Sequence, residues 1–164
     1  MQLRELVRYR ANLVRIRAVT KNKVHARLLM YNVKIDGYPF TQEYMNKLRE
    51  LKDFKINGYL NVIESLNNEI KGASDMIMKM AENNDDARNL MTIPGISYYS
   101  ALMIVSEIGD IGRFTDSNHL VSYSGLSPST HSSGENTFYG PITKQGSKYL
   151  RWILNQVTWA ISSA

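Results

Sequence analysis

Apolar side chains recur at helical spacing from the start of the chain. Leu6, Tyr9, Leu13, Ile16 and Thr20 fall in one stripe at about 100° per residue, with Arg4, Arg8 and Arg15 on the opposite face. The pattern predicts one long helix over 2–32, ended by "DGYPF", where Gly37 and Pro39 break it. Thr41 then suits an N-cap for a second helix with Tyr44, Leu48 and Leu51 on one face. Asn57-Gly58 either interrupts this helix or merely kinks it. From Ile56 a narrow seam runs through Tyr59, Ile63, Leu66, Ile70, Ala73, Ile77 and Met80, spaced alternately three and four. Such a seam calls for a partner: the first helix folding back, a second chain, or the remainder of its own domain.

The amide- and acid-rich "NNDDARNL" reads as a boundary. The expected organisation is a basic helix and coiled-coil region over 1–88, then a compact domain over 89–164. In the latter, apolar helical segments near 97–108 and 147–162 bracket a loop-rich centre. Thr115 or Asp116 can cap a short helix carrying Leu120 and Tyr123, with Gly125 ending it, and Phe114 is expected in the core. "ENTFYGPITK" has a β-prone part that suits a small hairpin. The fold class is mainly α: a long helical hairpin or coiled coil, then a small helical domain.

Composition narrows the classes of function. There is no cysteine, which excludes disulfides and thiolate metal sites, and His25, His119 and His131 have no metal-ligand spacing. No apolar run reaches the roughly 20 residues of a membrane span and no secretion signal opens the chain, so a soluble, intracellular protein is expected. The net charge of +5 is unevenly spread. Residues 1–34 hold nine Lys or Arg against one acid, Glu5, and residues 140–151 add Lys144, Lys148 and Arg151 with none. Two basic islands around an acidic middle suit a nucleic-acid binder, although the first is equally readable as a solvated helix face.

Three stretches carry candidate chemistry. Pro94-Gly95 between apolar segments resembles a helix-hairpin-helix element, in which a tight turn lets backbone N–H groups meet a phosphate. The match is partial, with Ser97 where a second glycine is usual, and a glycine-mediated helix connection explains it equally well. Arg113 suits either an ion pair with Asp110 or a phosphate contact. "GLSPSTHSSGENT" reads as a serine-rich polar loop, rich in residues that loops commonly use.

Taken in order, Ile93-Pro94-Gly95, Glu107-Ile108-Gly109-Asp110, Arg113-Phe114, Gly125-Leu126 with Pro128, Ser133-Gly134, and Lys144 with Gly146, Leu150 and Arg151 resemble the C-terminal domain of the DEDD-type insertion-sequence transposases of the IS one-ten group, the bridge-RNA-guided recombinases. The basic first helix is similar to the segment preceding the coiled coil in that family. The resemblance implies DNA transposition, in which a serine attacks a DNA phosphodiester and forms a covalent link later displaced by a DNA hydroxyl. It assigns Ser133 as the nucleophile with Ser132 next, and Gly134 as a close-approach position. Arg4, Arg8, Arg15, Gly95, Arg113, Lys144, Lys148 and Arg151 become DNA or RNA contacts. His131 is either a proton carrier or an exposed loop imidazole.

The resemblance further implies DNA and guide RNA as partners, a homo-oligomer joined through the coiled coil, and work in a prokaryotic cytoplasm at the nucleoid. Family members carry four metal-binding acids on a preceding nuclease domain of RNase H fold, and this sequence has no such cluster. The expectation is therefore a C-terminal portion with no cofactor of its own and Mg²⁺ only alongside that domain. The alternative is a non-catalytic nucleic-acid-binding or dimerisation module.

Overall fold

A computed structural model describes residues 2–133 and 136–162, apart from the side chains of residues 131–133 and 136–137. In chain order the elements are α1 (Leu3–Met30), α2 (Gln42–Glu50), α3 (Phe54–Glu82), α4 (Asp85–Met91), α5 (Tyr98–Ile108), a 3-10 turn (Ile111–Arg113), α6 (Ser117–Ser124), β1 (Pro128–Ser133), β2 (Asn136–Ile142) and α7 (Lys148–Ser162). The two strands pair antiparallel, and everything else regular is helical. The fold is mainly α.

The chain forms two compact units, one of Tyr9–Asp75 and one of Met1–Arg8 with Met76–Ala164, so α1 and α3 each contribute to both. In the first unit α1 folds back antiparallel to α3. Arg10 Nε donates to Ser74 Oγ at 2.8 Å, Arg17 Nη1 to Asn67 Oδ1 at 2.8 Å, and Arg27 forks onto Asp53 at 2.8 and 2.7 Å. Val24 and Leu28 of α1, Tyr44, Met45 and Leu48 of α2, and Ile56, Leu60 and Ile63 of α3 form the core. The seam's partner is thus α1 of the same chain, and the heptad pattern no longer requires a second copy.

Helix starts and ends obey local chemistry. Thr41 Oγ1 accepts from Tyr44 N at 3.3 Å as the N-cap of α2, and Asp53 Oδ1 accepts from Ile56 N at 2.8 Å at the start of α3. Helix α3 runs unbroken through Asn57-Gly58. Its buried line takes Leu60 and Ala81 where the seam predicted Tyr59 and Met80, because an α-helix drifts against a strict seven-residue repeat. For the same reason Tyr9 and Ile16 are exposed while Val24 and Leu28 are buried, and Leu51, expected inside, is exposed.

In the second unit α5 is the central helix, with Tyr99–Ile104 and Ser106–Ile108 buried. Helix α7 packs on it through Leu150, Ile153 and Val157. Leu6 and Val7 of α1 are buried in this unit, and Tyr99 Oη donates to Val7 O at 3.3 Å. "NNDDARNL", read as a boundary, supplies most of α4, capped by Asn84, whose Oδ1 accepts from Ala87 N at 2.8 Å. The serine-rich stretch is strand rather than loop: β1 pairs Thr130 with Tyr139, Ser132 with Thr137 and Ser133 with Asn136, after an irregularity between Pro128 and Thr130.

Candidate functional site

A single acid, Glu107, interrupts the apolar run of α5, and its side chain is only 1% exposed. A buried carboxylate needs a counter-charge and filled lone pairs. Arg8 supplies both, with Nε at 2.7 Å from Oε1 and Nη2 at 2.8 Å from Oε2, and Ser147 Oγ donates to Oε2 at 2.7 Å. Burial pushes the Glu107 carboxyl up, but the bonds from Arg8 and Ser147 outweigh it and hold it below the ordinary glutamate value. The last carbonyls of α5 are also met: Arg4 Nε donates to Ser106 O at 2.8 Å, Tyr123 Oη to Glu107 O at 3.2 Å and Arg113 Nη2 to Ile108 O at 2.9 Å. Cations at a helix C-terminus complement its dipole.

Two backbone crossings lock the adjoining segments. Gly125 ends α6 in the left-handed region at φ +71°, and its N–H and carbonyl bond to Ser122 O (2.9 Å) and Lys144 N (3.1 Å). A methyl group there would overlap the Gln145 carbonyl and sit 2.8 Å from Arg151 Nη1. Gly146, at φ +120°, would likewise strike Tyr123 O. Arg151 Nη1 donates to Ser124 O at 3.0 Å. Pieces scattered over residues 107–151 are thereby joined into one framework, from whose base the β1–β2 ribbon extends.

The expected contact residues take different places in this framework. Arg8 is committed to Glu107 and also lies 4.9 Å over the Tyr149 ring. Arg4 and Arg113 are exposed; Arg113 stacks on Phe114 (4.7 Å) and Tyr123 (4.4 Å) and does not pair with Asp110, whose Oδ1 instead accepts from Gly112 N. Phe114, expected in the core, is half-buried against Tyr123. Arg15 belongs to the other unit, exposed, with Nη2 on Asn12 Oδ1 at 2.9 Å. Lys144 and Lys148 are exposed, Lys148 lying 5.3 Å over Tyr149. Arg151 is partly engaged with Ser124. The backbones of Ser132 and Ser133 are in β1, while Gly134 lies outside the described residues.

Gly95 is explained by packing. At φ +88° its missing Cβ would sit 3.2 Å from Ala160 and from Ile161 N, so the turn closes against α7. A capping box also closes the start of α5: Ser97 Oγ accepts from Ser100 N at 3.3 Å and Ser100 Oγ from Ser97 N at 2.8 Å. The glycine connection between α4 and α5 therefore accounts for the Pro94-Gly95 geometry.

Sequence reasoning did not foresee the Glu107 cluster. The available signal was a lone carboxylate in "YYSALMIVSEI", because an acid within an apolar helix must find a cation from elsewhere in the fold. Among the described residues no three His, Asp or Glu side chains converge as metal ligands. Among them, too, no helix is long and apolar enough to cross a membrane.

Comparison with known proteins fits this framework. Residues 87–164 match the model of the Transposase IS116/IS110/IS902 family. The chain is similar to the transposase for insertion sequence element IS1111A of Coxiella burnetii, 37% identical over 75 residues, covering 46% of this chain and 21% of that protein. It is also similar to the transposase for insertion sequence element IS1328 of Yersinia enterocolitica, 28% identical over 164 residues, covering 92% of this chain and 47% of that protein. It thus spans between about a fifth and half the length of these curated relatives. The framework around Glu107, Gly125, Gly146 and Arg151 lies in the segment that matches the model of the Transposase IS116/IS110/IS902 family.

Proposed function

We propose that this chain is a portion of a DNA transposase, in which a serine of the β1–β2 ribbon cuts and rejoins DNA. The observation that carries the reading is the convergence of Glu107, Gly125, Gly146 and Arg151 in one framework inside the transposase-family segment, with the serine-bearing ribbon rising from it. In the proposed step the serine Oγ attacks phosphorus, an Oγ–P bond forms, and the P–O bond to the departing DNA hydroxyl breaks. The serine's proton ends on that hydroxyl. The phosphodiester's energy is kept in the covalent link, and a DNA hydroxyl later reverses the step and releases the serine.

Ser133 is the proposed nucleophile. It immediately precedes Gly134 in the sequence, with Ser132 as the alternative and His131 as the proposed carrier of the proton. Arg4, Arg113, Lys144 and Lys148 are the exposed cations proposed to meet DNA or guide-RNA phosphates, and Arg15 extends that role to the hairpin unit. The acids that would bind Mg²⁺ are assigned to a part of a longer transposase outside this chain, and no step is assigned here to the metal. Self-association is retained as part of the proposal, without the buried α3 seam as its contact.

The test is trapping on nicked DNA, with guide RNA and the four-acid nuclease domain supplied in trans. A serine–DNA adduct lost in Ser133→Ala is expected. Survival of the adduct in the Ser132→Ala, Ser133→Ala double variant would overturn the assignment. Salt-dependent DNA binding with no adduct under any of these conditions would instead favour a non-catalytic binding module.

A further inference from the structure

The ribbon carries a feature that neither the serine chemistry nor the framework uses. Phe138 and Tyr139, successive residues of β2, are 65% and 74% exposed. In register they stand opposite His131 and Thr130, one and two pairs from Ser132–Thr137. Large aromatic rings left this open on a strand pair made mostly of Ser, Thr, His and Asn forgo burial worth having, which asks for a ligand.

Their being successive matters. Neighbouring residues of a strand project to opposite faces, so the ribbon offers one ring on each side. A ribbon docking on a flat protein surface would need both rings on the same face. One ring per face suits insertion between two walls, as when a two-stranded ribbon enters a nucleic-acid groove or a wedge separates neighbouring bases. The rest of the element agrees: apart from Pro128, Pro141 and Ile142 its remaining residues are small or polar, and exposed Lys144 comes after β2 to meet backbone charge.

We infer that Phe138 and Tyr139 are a base-stacking wedge: the ribbon inserts into DNA beside the phosphate attacked by the serine, and the two rings stack on nucleobases on either side of it. The inference rests on the proposed DNA function and adds the ligand contacts, nucleobases rather than phosphates, and the residues that make them. Its energetic character differs from that of the cations, because stacking on an aromatic ring releases no counterions.

The experiment uses the full chain with a nicked duplex carrying 2-aminopurine beside the nick, and with the same sequence as a single strand. Wild type should alter the 2-aminopurine emission on binding. Each of Phe138→Ala and Tyr139→Ala should weaken binding about tenfold and remove the emission change, leaving the dependence of affinity on salt unaltered. Circular dichroism confirms that helix content is retained. The Phe138→Leu, Tyr139→Leu variant keeps apolar bulk without aromaticity and should remain impaired. Unchanged affinity in the alanine variants, full rescue by leucine, a flattened salt slope, or no binding by wild type would each overturn the wedge. Failure of the serine reading is distinguishable, since DNA would then bind with aromatic dependence yet form no adduct.

Discussion

In the Tyr9–Asp75 unit, charged side chains stay at the rim of an apolar core. Arg49 holds Glu64 at 2.8 and 2.9 Å with both partners partly exposed, and Arg27 holds Asp53 beside the start of α3. In the unit built on α5, a carboxylate lies inside the core and its cation comes from the first turns of the chain. Rim pairs in water contribute little and tolerate exchange, whereas a buried pair tolerates no loss of one partner. The first unit is specified by pattern and the second by particular atoms meeting.

That contrast is most exposed to test at Glu107. Arg8→Ala leaves the buried Glu107 carboxylate without its counter-charge and should cost about 3–5 kcal/mol, against less than about 1 kcal/mol for Arg49→Ala. Both tryptophans, Trp152 and Trp159, are in α7, so their fluorescence during urea unfolding reports the α5 unit, while far-ultraviolet circular dichroism reports both units. Equal losses in the two variants would dissolve the distinction.

Gly146→Ala should be the next most damaging change. It combines a left-handed backbone with overlap on Tyr123 O, for about 2–4 kcal/mol read from the same tryptophan signal. Gly58→Ala in the exposed second turn of α3, where an added Cβ meets nothing within 4 Å, should instead stabilise by about 0.5–1 kcal/mol.

Acid sharpens the comparison without mutation. The Arg27 fork and the Ile56 N–H hold the Asp53 carboxyl down at about 2. Because its folded value lies below the unfolded one, its contribution is complete above about pH 4 and is lost as the pH falls towards 2. Asp53→Asn should remove that acid-labile component from the hairpin unit's unfolding. The smallest expected effect on stability is at Arg15: Arg15→Ala should leave both transitions in place and lower the salt slope of nucleic-acid binding by about one phosphate contact.

The same contrast explains which parts were legible in the sequence. Helix spacing and caps are local, so α1, α2, α5, α6 and α7 could be read from a few neighbours each, down to Gly125 as the end of α6. The partner of the α3 seam could not, because α1 and a second chain would supply the same apolar stripe. Arg8 could not be separated from Arg4 and Arg15 by periodicity, since all three share a face of α1; only the distant Glu107 distinguishes it. The serines were readable as a cluster but not as a strand. Ser, Thr and Gly favour loops, and the pairing with residues 136–142 that overrides this is a tertiary fact.

The stretch matched by the family begins at residue 87, but the body that folds around Glu107 includes Leu6, Val7 and Arg8 from the chain's opening turns. The segment matched by the family model and the folding unit thus have different boundaries. A gene fragment cut at residue 87 would code for a buried acid without its counter-cation, and an insertion that severed those first turns from the rest would disarm a region far downstream that it never touched.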